Sequence, residues 1–361
     1  MRKLRIVSNN YKFVLAPPEE GQIAGKVKRN SNHTHLSGRD LLAWLSRYLS
    51  SRIPRILVYH RFGNDERCTS SEGFERQLQH LKENFNVVHL SRLVNALKGG
   101  ERLPSNSVVL TVGDGYADFY HVAFPLFRRY EIPCTFFVTT NFISGRKWLW
   151  PDKITWILSG RDRFPDLEVT NEVIPGGDRT QVERLWTQIL VRLQKVDSDH
   201  VDANLDDIAR QLGLIIPEHP VAGFEPCSWE QLAQMEASGL IEVGGHTRNH
   251  PILSRLRPDK LSDEIGGCLE DINSNLGTRA RSFCYPNGKP ADFNGAVREA
   301  AVKAGFISAC TAFYDGEHLE DIFALRRFSA SDDFAQFHKA ATGLQYWGAK
   351  ILGRDNRDAA E

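Results

Sequence analysis

Short β-rich runs alternating with helical stripes constrain this 361-residue chain more than any other feature. RILVYH (55–60), SVVLTV (107–112), CTFFVTT (134–140), LIEVGG (240–245), RSFCYP (281–286) and FISACT (306–311) carry β-branched and aromatic residues without strict alternation. Runs of this kind suit parallel strands buried on both faces. Between them, residues 72–85, 117–130, 228–239, 259–277 and 294–305 read as helices. Repeated β–α alternation predicts an α/β domain with a parallel sheet, open or closed into a barrel. In such folds the active groups sit at the carboxyl ends of the strands, so the polar residues there are the ones to weigh.

The alternation is interrupted over 145–225, where RKWLWPDKITWILSG and QVERLWTQILVRLQKV predict an insertion with its own helices. The division expected is an extension over 1–54, a main domain over 55–343 containing that insertion, and a tail over 344–361. Residues 1–37 are polar and broken by Pro and Gly. The segment 38–54 follows them with Leu41, Leu42, Leu45, Tyr48 and Leu49 at helical spacing. Arg47, Arg52 and Arg55 lie beside that stripe, so it could rest on an anionic membrane surface; packing on the domain core is what most amphipathic helices do.

Composition excludes several classes. The formal net charge is zero, which argues against bulk attraction to nucleic acid. No stretch has the length of a signal-peptide core or a transmembrane helix, so the expected place is the cytoplasm, with peripheral contact to the inner membrane allowed. Six cysteines lack any CxxC pair and read as reduced packing residues. Nothing in the sequence fixes an oligomeric state.

Two strand ends carry chemistry. Gly113-Asp114-Gly115 follows SVVLTV, and His246-Thr247-Arg248-Asn249-His250 follows LIEVGG. Histidines four apart would share one side of a helical turn, and a carboxylate from another strand end would complete a facial triad for zinc or a similar divalent ion. HxxxH alone is weak, because histidines at that spacing are often ordinary surface or core groups. Its place at a strand end, flanked by glycines, strengthens it.

With these residues in view, the segment VLTVGDGYADFYHVAFPLFRRYEIPCTFFVTT resembles the first motif region of the NodB-homology polysaccharide deacetylases, carbohydrate esterase family 4. SWEQLAQMEASGLIEVGGHTRNHPILSRL resembles the second, and RSFCYPNG the third. The resemblance covers 55–343, insertion excepted. It implies a distorted (β/α) barrel of the polysaccharide-deacetylase type with a helical insertion. It also implies removal of acetyl groups from amino sugars, and a divalent metal, zinc being the ion expected, on Asp114, His246 and His250. The partner implied is an acetylated amino sugar or glycan precursor.

Two positions depart from the family pattern. Its first motif usually reads TFDDG, with the first Asp as general base; Gly113 stands there. An Arg of the third motif holds that Asp in many members; Cys284 stands there. The chain is then an inactivated form of an active enzyme, a pseudoenzyme that keeps metal and sugar binding, or an enzyme with another base. Asp118 is close in sequence but fits a helix cap or network role.

Other candidates surround these. His60, ending RILVYH, is a general acid, a substrate contact or a structural histidine. Arg326 and Arg327 could supply the missing guanidinium, bind a sugar-linked phosphate, or pair at a strand end. By motif position Asn287 offers an oxyanion-binding N–H, since Pro286 has none, with Tyr285 beside it. Tyr116, Trp148 and Trp150 could stack on sugar rings or anchor a core. His338 reads as a surface residue on a helix. The family's final-motif histidine has no match.

Overall fold

A computed structural model describes residues 45–352 apart from 65–67, 278–279 and 314–318. The polar extension over 1–37 and the start of the helix after it lie outside that range.

Eight parallel strands form one sheet. They are β1 (Arg55–Tyr59), β2 (Asn86–Val87), β3 (Ser107–Val112), β4 (Cys134–Val138), β5 (Ile241–Gly245), β6 (Ser282–Cys284), β7 (Ser308–Cys310) and β8 (Phe328–Ser329). Their order is β7-β6-β5-β4-β3-β1-β8, with β2 paired to β3. The strands β1, β3 and β4 are buried at every position, as their unbroken apolar runs predict. β2 and β8 have two residues each, too few for a periodic signal.

Side chains alternate between two apolar layers. Leu57, Val108, Leu110, Phe136, Val138, Phe283 and Ala309 face the surrounding helices, while Ile56, Val109, Phe137, Cys284, Cys310 and Leu325 form a separate inner cluster. That inner cluster joins β7 to β1, five places apart in strand order, so the sheet has curled round to bring its ends together. Residues 325–329 bridge the gap: Leu325 pairs with Cys310 of β7, and Phe328 with Leu57 of β1. The architecture is a distorted (β/α) barrel.

The longer helices are α1 (Ser71–Asn84), α2 (Leu90–Leu97), α3 (Phe124–Tyr130), α4 (Trp150–Leu158), α5 (Val182–Leu193), α6 (Val201–Gln211), α7 (Trp229–Ala237), α8 (Pro258–Leu276), α9 (Gly295–Ala304), α10 (Phe334–Thr342) and α11 (Leu344–Leu352). Helices α4 to α6 lie in the insertion and bury Ile154, Ile157, Leu185, Ile189, Leu205 and Ile208 in a core of their own. The stretch taken as a tail opens with α11.

The helical turn at 45–49 packs opposite to the expectation that its apolar stripe meets the core. Leu45, Tyr48 and Leu49 are 43%, 60% and 53% exposed, while Ser46 and Ser50 are buried. The two serines let the backbones approach: Ser46 Oγ donates to the Thr342 carbonyl, and Trp347 Nε1 donates to Ser50 Oγ. Among the described residues no helix is long and apolar enough to cross a membrane.

Candidate metal and acyl-transfer site

Asp114 follows β3 and His246 and His250 follow β5, so all three reach the carboxyl end of the barrel. The HTRNH segment is a loop, not the helical turn its spacing suggested. Thr247 and His250 take left-handed backbone angles, φ 67° and 58°, and so does Asp114, at 77°. Side chains hold this irregular path. Thr247 Oγ1 accepts from the His250 N–H, and the buried Glu264 carboxylate of α8 accepts from the N–H groups of Arg248 and Asn249. Residues beyond the motif therefore shape it, and Glu264 gave no sign of this in sequence.

Two glycines explain how β5 passes through the barrel wall. A Cβ on Gly244 would lie 2.5 Å from Phe137 Cδ1 and 2.9 Å from the Ser282 carbonyl. One on Gly245 would lie 2.7 Å from Phe306 Cζ. Side chains there would push β5 from its neighbours and move both histidines.

The imidazoles meet one carboxylate oxygen. His246 Nε2 and His250 Nε2 lie 3.3 Å and 3.5 Å from Asp114 Oδ1, with the rings 4.8 Å apart and 76° to one another. One donor atom from each of the three residues falls within 4.8 Å of the others. His246 Nδ1 sits 2.7 Å from the Cys284 carbonyl. A carbonyl only accepts, so Nδ1 carries the proton and the Nε2 lone pair faces the centre. An ionised carboxylate with two converging imidazole nitrogens is the donor set a divalent ion such as zinc takes.

The cavity above the triad has a volume of about 190 Å³. It is lined by His60, Asp114, His246, His250, Tyr285, Asn287 and Arg327, together with Pro151 and Ala312. His60, Asp114, His246, His250, Tyr285, Asn287 and Arg327, all singled out in the sequence, thus line one cleft, and Gly113 lies directly beside Asp114. Pro151 comes from α4, so the insertion supplies one wall; a proline in a Trp-Pro pair carries no chemical signal in sequence. A larger hollow, about 500 Å³, lies elsewhere on the barrel beside His89, Ser91, Glu236 and Glu242. Donor chemistry, not size, marks the site.

Arg327 supplies a guanidinium where the third motif has none. It is 3% exposed, its Nη2 lies 3.1 Å from Cys284 Sγ, its Nη1 lies 3.3 Å from Thr111 Oγ1, and its Nε donates to the Thr311 carbonyl. Arg326 points elsewhere, donating to the Ala324 carbonyl and lying over the Phe313 ring. Asp118 does not cap a helix; it accepts from Arg61 Nε at 2.6 Å. Tyr116, Trp148 and Trp150 are buried at 5%, 2% and 5% exposure, so they are anchors rather than sugar platforms. Tyr285 donates its hydroxyl to the Phe323 carbonyl, leaving only its ring and backbone to the cleft. Asn287 turns through a left-handed φ of 53° at the rim.

A distorted (β/α) barrel with an Asp-His-His triad, its histidines buried and its aspartate half-buried, at the carboxyl ends of its strands is the class of protein this geometry defines. The Polysaccharide deacetylase family model matches residues 100–309, more than half of the chain, and the chain belongs to that family, the NodB-homology deacetylases. It is 29% identical over 110 residues to "Putative polysaccharide deacetylase YxkH" of Bacillus subtilis, covering 30% of this chain and 39% of that one. It is 35% identical over 72 residues to "Poly-beta-1,6-N-acetyl-D-glucosamine N-deacetylase" of Escherichia coli, covering 19% of this chain and 11% of that one. The matches thus span well under half of these relatives. Among solved structures, the fold is similar to that of IcaB from Ammonifex degensii, with TM-score 0.53, 22% identity, and 80% and 97% of the two chains covered. It is similar to that of Streptococcus pyogenes deacetylase PplD in complex with acetate, with TM-score 0.53, 17% identity, and 80% and 96% covered. At such identities the likeness speaks for the fold alone.

Proposed function

We propose that this chain is a metal-dependent deacetylase that removes the N-acetyl group from an amino sugar or glycan precursor. The observation that carries this reading is the convergence of Asp114, His246 and His250 on one point in the cleft. A divalent ion held there would supply Lewis-acid polarisation of the acetyl carbonyl and of water. The chain's own groups do the rest. Asn287 lines the same cavity, where its backbone N–H would meet the charge developing on the acyl oxygen, and the Arg327 guanidinium adds positive potential there. Pro151 and Tyr285 form walls of the cavity that the acetamido group would enter. The substrate class follows from family membership and from the printed activity of the Escherichia coli relative.

Gly113 favours a second reading, a carbohydrate-binding protein that keeps the site without turnover, because glycine has no group to take a proton. One experiment separates the two: acetate release from β-1,6-linked N-acetylglucosamine oligomers with zinc present. The wild-type protein releases acetate and Asp114→Ala falls to background. Oligomer binding without release would establish the second reading, and equal release by Asp114→Ala would remove the site.

A further inference from the structure

The helical turn at 45–49 shows its apolar side to solvent. It packs on the barrel through small residues, Ser46 against the end of α10 and Ser50 against the Trp347 indole of α11. Leu45, Tyr48 and Leu49 are exposed. In sequence, Leu41 and Leu42 stand at the spacing that continues this stripe, outside the described residues. Single exposed apolar side chains are ordinary, but several on one helical face make a patch.

Positive charge gathers at the same place. Residues 1–54 hold ten Lys and Arg against three Asp and Glu, in a chain with 45 of each. An excess of seven positive charges thus precedes β1, and an equal acidic excess follows it. Arg47 donates to the Asn84 amide oxygen at 2.8 Å, and the buried Arg55 donates to the carbonyls of Ser50, Ile53 and Ala341. Neither arginine has a carboxylate partner among the described residues, and Arg52 between them is exposed.

We propose that this face docks the protein on a membrane surface carrying anionic lipid headgroups. Leu45, Tyr48 and Leu49 enter the headgroup region, while Arg52 and the basic residues before the turn meet the phosphates. The charge excess decides between occupants. A symmetric contact with a second copy would set two basic segments against one another. A nucleic acid would use the charge and leave the leucines bare; a lipid surface uses both. The placement agrees. The Ser51 carbonyl accepts from the Asn106 N–H just before β3, so the turn lies at the amino ends of β1 and β3, across the barrel from the cleft. A docked molecule keeps its cleft toward the solution, and the inference does not depend on the reaction there.

Co-sedimentation of the full chain with vesicles tests it, using phosphatidylcholine alone and phosphatidylcholine mixed equally with phosphatidylglycerol. Wild type is expected to sediment with the mixed vesicles, to stay in solution with phosphatidylcholine alone, and to release as salt is raised. Leu45→Gln and Leu49→Gln together keep helix propensity and remove the apolar contact. They are expected to lower affinity about 10- to 100-fold, roughly the worth of burying one whole leucine, since each is about half exposed. Arg52→Glu is expected to lower it about tenfold. Thermal unfolding of the variants matches wild type, because all three positions are exposed. Absence of binding to the mixed vesicles overturns the proposal, as does binding that the glutamine pair leaves unchanged, or equal binding to both vesicle types. A concentration-dependent dimer in sedimentation velocity, abolished by the glutamine pair, also overturns it and gives the face to a second copy.

Discussion

Asp152 enters the rim of the barrel from α4 and accepts the Tyr116 hydroxyl at both carboxylate oxygens, 2.9 Å and 2.8 Å away. Burial raises its pKa from 3.8 to about 7, outweighing the Tyr116 hydrogen bond and the Arg61 charge. Between those two values the folded chain keeps a proton that the unfolded chain has shed. Stability contributed by this group therefore falls as pH rises from about 4 to about 7, and levels above that. Asp152→Asn is expected to match wild type near pH 4 and to be the more stable near pH 8, read by urea unfolding at the two pH values. A variant less stable than wild type near pH 8 would mean that the ionised carboxylate helps the fold. At the same scale, the two departures from the family pattern each have a polar neighbour: His60 beside Gly113, and Arg327 beside Cys284. Sequence reading could mark all four residues but not pair them, because both pairings join strands distant in the chain.

At the scale of the element, β5 shows how much of the site was legible and why the rest was not. Its run LIEVGG ends at His246 and announced both a buried strand and a candidate ligand. The conformation of the following loop was misread, because the HxxxH spacing also fits a helix, and only Glu264 of α8 and the Thr247 hydroxyl select the left-handed turns. β8 escaped because a two-residue strand has no periodicity, yet Arg327, immediately before it, was visible as a candidate. The glycine pair is the least forgiving part of the element. Gly244→Ala is expected to destabilise by about 1–3 kcal/mol, the range for overpacking a tight core, and to weaken ion binding as the strand shifts. Thermal unfolding and zinc affinity check both halves. An unchanged zinc affinity in a destabilised variant would show that the histidine loop moves independently of β5.

On the scale of the whole molecule, the barrel and the insertion have separate apolar cores, joined near the site by Tyr116–Asp152 and by Pro151 at the cleft wall. The α/β barrel could be read from strand spacing alone, whereas the wall that the insertion contributes depends on a contact between segments far apart in sequence. Amides of α5 and α6 are expected to exchange through openings of lower free energy than those of β3 and β4, as separate cooperative units do. Equal protection would mean that the two cores unfold as one. The claim on which the functional account stands is that Asp114, His246 and His250 hold one divalent ion. Zinc bound per chain, measured after dialysis for wild type and for Asp114→Ala and His250→Ala, tests that claim most directly. The account predicts one ion per wild-type chain and its loss in both variants; well under one ion in wild type, or an ion retained by both variants, would contradict it.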